Sequence, residues 1–304
     1  MPRTSIIIAT RNRPQFVSRA VDSARASGKD VEVIVVDDAS SEETAKVCDA
    51  LADITYIRVE RRLGLGGARN VGMVSSRGEY ISFLDDDDLR LEGTLDQQIE
   101  LLEKEPSAGL IYARANVTNT EGGALYSYPT DCLQGDLFWK LLTQNFIPCG
   151  SVVFRRSCLS RIGLLDDDSP GIEDWDLWVR IAELYPITSL RAPVIVWRKS
   201  TPTSGQLTSQ AAQIVTASIR QFRRWMKLPR ALGASREMKQ TAWHGFSENM
   251  AEHLLCECLR ALRHGKLDQP LKNLSLIPRL DPLTVMRLAR HRFLRLGGPD
   301  LQTL

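Results

Sequence analysis

A short, largely apolar run, Tyr80-Ile81-Ser82-Phe83-Leu84, ends directly in four carboxylates, Asp85-Asp86-Asp87-Asp88. Runs of that length suit strands buried in a parallel sheet, and such a sheet takes its ligands just beyond the carboxyl ends of its strands. Four acids at that edge repel one another unless a cation or a hydrogen-bonding ligand sits among them. Mg2+ and Mn2+ suit the arrangement, because hard cations take oxygen ligands and often use one or two carboxylates with substrate phosphates. A solvated acidic loop is the ordinary explanation of an isolated run. The remainder of the chain decides between the two.

The first 110 residues alternate strand and helix. Ser5 to Ala9 reads as a strand, followed by the loop Thr10-Arg11-Asn12-Arg13-Pro14 and a helix whose Phe16, Val17, Ala20, Val21 and Ala24 share one face. Val31 to Val36 is a second strand, ending at Asp37-Asp38, with Ser40 or Ser41 placed to cap the next helix. Ile54 to Val59 is a third strand, and Gly64-Leu65-Gly66-Gly67 opens another helix. Alternation at this spacing predicts a doubly wound, mostly parallel α/β sheet with right-handed crossovers. Residues 110–200 are more mixed, with short strands at Gly109 to Ala113, Ser151 to Phe154 and Val194 to Trp197, and a helix over Asp174 to Leu184. A turn-rich stretch, 200–205, leads into a mainly helical C-terminal segment. The expected division is 1–204, with halves of 1–110 and 111–204, followed by 205–304.

Composition narrows the class. The chain has 304 residues, 43% hydrophobic and 25% charged, as an ordinary globular protein does. Its apolar runs fall short of the roughly 18–20 residues of a membrane span, and its first residues suit a strand better than a leader, so a cytoplasmic location is expected. The six cysteines form no CxxC pair, so neither a zinc ribbon nor a redox motif is indicated. A net charge of +2 conceals an asymmetry: residues 201–304 hold 16 Lys/Arg against 7 Asp/Glu. No histidine precedes His244, which disfavours a serine or cysteine nucleophile paired with histidine. Chemistry at the strand ends would therefore use a carboxylate base. The glycine-rich turn lacks the GxGxxG pattern, since Arg69 stands where the third glycine belongs, and it follows the third strand; a nicotinamide site is not expected.

Five segments in order resemble family 2 glycosyltransferases of the GT-A fold: Ser5 to Pro14, Val35 to Ser40, Gly64 to Asn70, Phe83 to Asp88, and Glu173-Asp174-Trp175-Asp176-Leu177-Trp178. The resemblance covers about residues 4–200. It implies a nucleotide-diphospho-sugar lying across the strand ends, with Ala9, Thr10, Arg11, Asn12, Gly66, Arg69, Asn70 and Asp85 as its surroundings. It places Asp38 on the nucleobase with Asp37 as helper, Asp86 on the ribose, Asp87 on a Mn2+ or Mg2+ ion, and Asp174 as catalytic base. Glu173 and Trp175 become candidate acceptor contacts, although Trp175 and Trp178 suit core packing equally well. One base without a second enzyme nucleophile implies a single displacement that inverts the sugar carbon. The family often has an aromatic near position 11; with Arg11 there, uridine is the favoured base while thymidine and guanosine stay open. The implied partners are a UDP-sugar and a glycan or lipid-linked acceptor in surface polysaccharide or glycoconjugate synthesis, without nucleic acid.

Two other functions share the sheet type. A sugar-1-phosphate nucleotidyltransferase would release pyrophosphate, and a non-catalytic GT-A-fold protein would bind nucleotide without transfer. In the basic segment, Arg220, Arg223, Arg224 and Lys227, then Arg287, Arg290, Arg292 and Arg295, are interleaved with apolar residues. Such helices suit peripheral contact with an anionic membrane at its inner face, or alternatively packing on the first domain or a dimer contact.

Overall fold

A computed structural model describes residues 2–119, 121–199, 211–263 and 273–281. The chain divides into two compact units, one of 1–137 with 146–206 and one of 138–145 with 207–304. The later unit thus includes Phe138–Asn145, a stretch that the sequence reading places in the 111–204 half.

In the first unit, strands β1 (Thr4–Thr10), β2 (Val31–Asp37), β3 (Thr55–Arg58) and β4 (Tyr80–Asp85) alternate with helices α1 (Pro14–Ala26), α2 (Glu42–Asp49) and α3 (Gly64–Ser75). Next come β5 (Leu89–Arg90), α4 (Thr94–Lys104), β6 (Leu110–Thr118) and β7 (Ala124–Tyr128). Past the α5 segment of the other unit (Phe138–Thr143) follow β8 (Val153–Arg155), α6 (Leu159–Ile162), α7 (Glu173–Leu184) and β9 (Ile187–Arg198). The sheet runs β3-β2-β1-β4-β8-β6-β9-β5, with β7 paired to β6.

Both faces of the parallel half are covered, which is why its strands read as unbroken apolar runs. Ile6, Ile8, Val33, Val35 and Leu84 pack against Val17 and Val21 of α1 and Leu95 and Ile99 of α4. On the opposite face Ile34 and Val36 meet Ala68 of α3. Helix α3 lies so close to the sheet that a methyl group on Gly72 would stand 2.3 Å from Cγ2 of Ile7. Trp178 of α7 packs against Phe83 and Phe154, with ring centroids 6.3 and 6.2 Å away.

The expectation of a mostly parallel sheet holds for β3-β2-β1-β4; the other half is mixed. Strand β8 runs antiparallel to both β4 and β6, and β6 is parallel to β9. β6 also extends beyond the predicted Ala113 to Thr118, where a tight turn at Asn119 and Gly122 sends β7 back antiparallel. A connection that short permits no crossover.

The second unit contains α5, α8 (Ala211–Trp225), α9 (Pro229–Leu232) and α10 (Arg236–Arg263). Phe222 of α8 packs on Trp243 and Phe246 of α10, at 5.2 and 4.6 Å between centroids. Val215, Ile219, Phe222 and Trp225 are buried, while Arg220, Arg223, Arg224 and Lys227 are exposed. The apolar stripe of α8 is therefore buried, with Phe222 against α10, and its charged face is exposed. Arg287, Arg290, Arg292 and Arg295 lie outside the described residues.

Candidate active site

Strand register gathers the acids. Thr10 of β1 pairs with Asp37 of β2, and Ala9 pairs with Asp85 of β4, so three parallel strands stop at one level. The loops that follow them are tied together. Asn12, in the left-handed region at φ 54°, donates its backbone N–H to Ser40 Oγ at 3.0 Å, and its Oδ1 accepts the Ser41 N–H at 2.8 Å. Thr10 Oγ1 donates to Asp86 at 2.7 Å. Arg11 is exposed beside them and Ala9 half-buried.

The two acids after β2 have separate tasks. Asp37, fully buried, accepts the Ser40 N–H at 2.8 Å and the Tyr56 hydroxyl at 2.9 Å, which shapes its own loop. Asp38 reaches the start of α3, where its two oxygens accept the N–H groups of Leu63 at 2.6 Å and Gly64 at 3.0 Å. A carboxylate there satisfies helix-end donors and complements the dipole. A carboxylate of this protein thus already occupies the N-terminus of α3.

The four-acid run closes a turn through the Asp88 N–H to Asp85 O bond at 3.1 Å. Arg13, which motif reading did not single out, sits among these acids. Its Nη1 donates to Asp86 Oδ1 at 2.9 Å and Asp87 Oδ2 at 3.1 Å. Burial pushes the Asp86 carboxyl up to about 6, against the pull of Arg13 and Thr10. Asp88, also unassigned from sequence, is buried and accepts the Arg198 N–H at 2.8 Å, joining this turn to the end of β9. Burial, reinforced by Asp85, raises its carboxyl well above the usual range. The Arg198 guanidinium lies over the Phe16 ring at 4.8 Å. A signal for Arg13 exists in retrospect: a cation three residues beyond the end of β1 lies within reach of the acids at the end of β4.

Arg69 links the four-acid turn to α7. Only 3% exposed, it donates to Asp85 Oδ1 at 2.7 Å and to Glu173 Oε1 at 3.3 Å, and its guanidinium lies 5.2 Å from the Phe83 ring centroid. Although burial pulls it down, Cys149, Asp85, Glu173 and Asp174 hold it above its ordinary pKa. Asp174, half-buried in the first turn of α7, accepts the Trp175 N–H at 2.6 Å. Burial and then Glu173 push its carboxyl up to about 7, with Arg69 opposing. Gly66 and Asn70 also face the segment leading into α7, near Asp167 and Leu165 respectively. Trp175 is 3% exposed and Trp178 fully buried, so both rings lie in the packed interior.

A family model for glycosyl transferase family 2 matches residues 5–163, just over half of the chain. The chain belongs to that family. An uncharacterised glycosyltransferase of Rickettsia typhi is 29% identical over 195 residues, covering 60% of this chain and 61% of that protein. The E. coli UDP-Glc:alpha-D-GlcNAc-diphosphoundecaprenol beta-1,3-glucosyltransferase WfaP is 29% identical over 187 residues, 60% of this chain and 70% of WfaP. The chain spans 61% of the length of the R. typhi relative and 32% of one from Rickettsia felis. Among solved structures, the mannosyltransferase PcManGT from Pyrobaculum calidifontis, in complex with GDP-Man and Mn2+, superposes with a TM-score of 0.59 at 18% identity, over 97% of this chain and 81% of that one. S. aureus TarS 1–349 in complex with UDP-GlcNAc gives 0.56 at 15% identity, over 92% of each chain. These likenesses establish the fold of this family 2 member as GT-A-like, with a mixed sheet and C-terminal helices.

Because Asp38 caps α3, Asp38→Ala should lower stability without any nucleotide present, by about 1–2 kcal/mol. Urea unfolding of the ligand-free protein measures this. An unchanged midpoint would show that the carboxylate has no structural share.

Proposed function

We propose that this family 2 member transfers a sugar from a nucleotide-diphospho-sugar, with uridine as the favoured base, to an acceptor hydroxyl with inversion. The observation that carries the reading is Asp174, a half-buried carboxyl with its pKa raised to about 7, linked through Glu173 and Arg69 to the acids at the strand ends. A carboxylate so tuned is matched to taking a proton near neutral pH. The names of relatives support the donor and acceptor classes: WfaP acts from UDP-Glc onto a diphosphoundecaprenol-linked sugar, and TarS was solved with UDP-GlcNAc.

The acid turn fits a divalent cation. Its donors are hard carboxylate oxygens, and they already hold one positive charge, the Arg13 guanidinium between Asp86 and Asp87. Among the described residues no group of three or more His, Cys, Asp or Glu could hold a metal ion by itself; hard cations in phosphate chemistry often use only one or two carboxylates, with phosphate oxygens and water as the other ligands. Asp87 would hold it, with Asp85 nearby. The ion, when bound, neutralises the charge that develops on the leaving diphosphate. Asp38 and Asp37 border the base site, and Thr10 keeps Asp86 directed toward the ribose. Asp174 accepts the proton of the acceptor hydroxyl as that oxygen attacks the sugar carbon.

No helix among the described residues is long and apolar enough to cross a membrane. A cytoplasmic protein that meets a lipid-linked acceptor at the membrane surface, through the exposed basic face of α8, accords with the proposal.

Release of nucleoside diphosphate from a panel of sugar nucleotides, with and without acceptor glycans, tests the reading. Pyrophosphate as the product would overturn it. Asp174→Asn should preserve donor binding and lower turnover by about 10²–10⁴-fold; near-normal turnover would move the base elsewhere. In the native enzyme Asp174 is protonated below its raised pKa, so activity should fall as pH drops through about 7. Asp87→Ala should abolish the Mn2+-dependent part of nucleotide binding with the fold intact, as read by thermal shift. Undiminished Mn2+-dependent affinity would defeat that assignment.

A further inference from the structure

The segment that delivers Asp174 is held from outside its own helix. Asn70 Nδ2 donates to Leu165 O at 3.0 Å, and Asn70 Oδ1 accepts the Leu165 N–H at 2.9 Å, a two-bond clamp across the chain. One residue earlier, Arg69 holds Glu173 at 3.3 Å, directly beside Asp174. Glu173 is 3% exposed, and its second oxygen accepts the Gly171 N–H at 2.6 Å. Arg180 of α7 secures the start of the same segment, donating to Leu164 O at 2.8 Å and to Ile162 O. Neighbouring residues on α3 thus grip both ends of the run from Leu165 to Glu173.

We infer that Arg69 and Asn70 are positioning residues that set where Asp174 stands, rather than groups that hold the donor. This rests on the reading of Asp174 as the base. Arg69 is poorly placed to bind a phosphate: turning toward one would break two ion pairs and leave the buried Glu173 carboxylate unpaired, which is strongly unfavourable. The guanidinium is also confined over Phe83. Asn70 uses both ends of its amide on Leu165. What these contacts supply is geometric, because a base displaced by about 1 Å from its productive position loses on the order of 10²-fold in rate. The same guanidinium opposes the negative field of Glu173 and Asp85 around Asp174, favouring the ionised base.

The test separates binding from turnover. Binding is measured by calorimetry with UDP and with GDP, each with Mn2+, and turnover by nucleoside diphosphate release from the sugar nucleotide that the native protein consumes. Arg69→Gln and Asn70→Ala should keep the nucleotide Kd within about twofold while kcat falls about 10–100-fold. Arg69→Lys, which restores a cation beside Glu173, should recover part of the loss. Should Arg69→Gln fail to fold, Asn70→Ala carries the same test, since it uncovers no charge. A nucleotide Kd weakened tenfold or more with kcat retained would overturn the inference and return both residues to donor binding. Asp174→Asn, run alongside, distinguishes the two failures: undiminished turnover there removes the base assignment itself.

Discussion

Thr10 is paired with Asp37 and Ala9 with Asp85, so β1, β2 and β4 end within a residue of one another. Everything at the site depends on that register. Parallel strands covered on both faces have little freedom to slip, because a one-residue shift would exchange the two faces and break the packing specific to each. With Ile6 and Ile8 committed to α1 and Ile7 to α3, the level at which the strands stop is set by core packing. Four carboxylates that packing forces together must then be stabilised locally.

The chain meets this requirement with arginines. Arg13 lies between Asp86 and Asp87, and Arg69 between Asp85 and Glu173. The two differ in what surrounds them. Arg13 is 27% exposed at its side chain, at the border of the acid turn, where an incoming cation would compete for the same oxygens. Arg69 is 3% exposed and bonded on two sides, a fixed strut between β4 and α7. Arg13 is thus the more accessible of the two cations, at the acid turn, and Arg69 the more confined, beside the start of α7.

Much of the fold was legible because its cause is local. The runs Ile6 to Ile8, Val33 to Val36 and Ile81 to Leu84 are long enough and apolar enough to read as buried parallel strands, and helical spacing marks α1. The second half of the sheet was less legible. The polar stretch around Asn116 to Thr118 joins the sheet through pairing with β7 and β9, a long-range effect that periodicity does not carry. The site follows the same division. Acids at strand ends announce themselves, whereas the targets of Gly66, Arg69 and Asn70 depend on a segment about 95 residues later in the chain. The resemblance to the family places these three among the donor's surroundings; their contacts with the run into α7 could not be read from the sequence. Trp175 and Trp178 were ambiguous for a similar reason, since only packing tells a buried indole from a sugar platform.

The central claim is a single displacement in which one carboxylate, Asp174, deprotonates the acceptor while the strand-end acids manage the leaving diphosphate. Its most direct measurement is the anomeric configuration of the product, read by proton NMR of the glycoside formed from a donor of known anomer. The account predicts inversion at the transferred carbon. A product that retains the donor's configuration would require a second nucleophile or a front-face route, and would contradict the role given to Asp174.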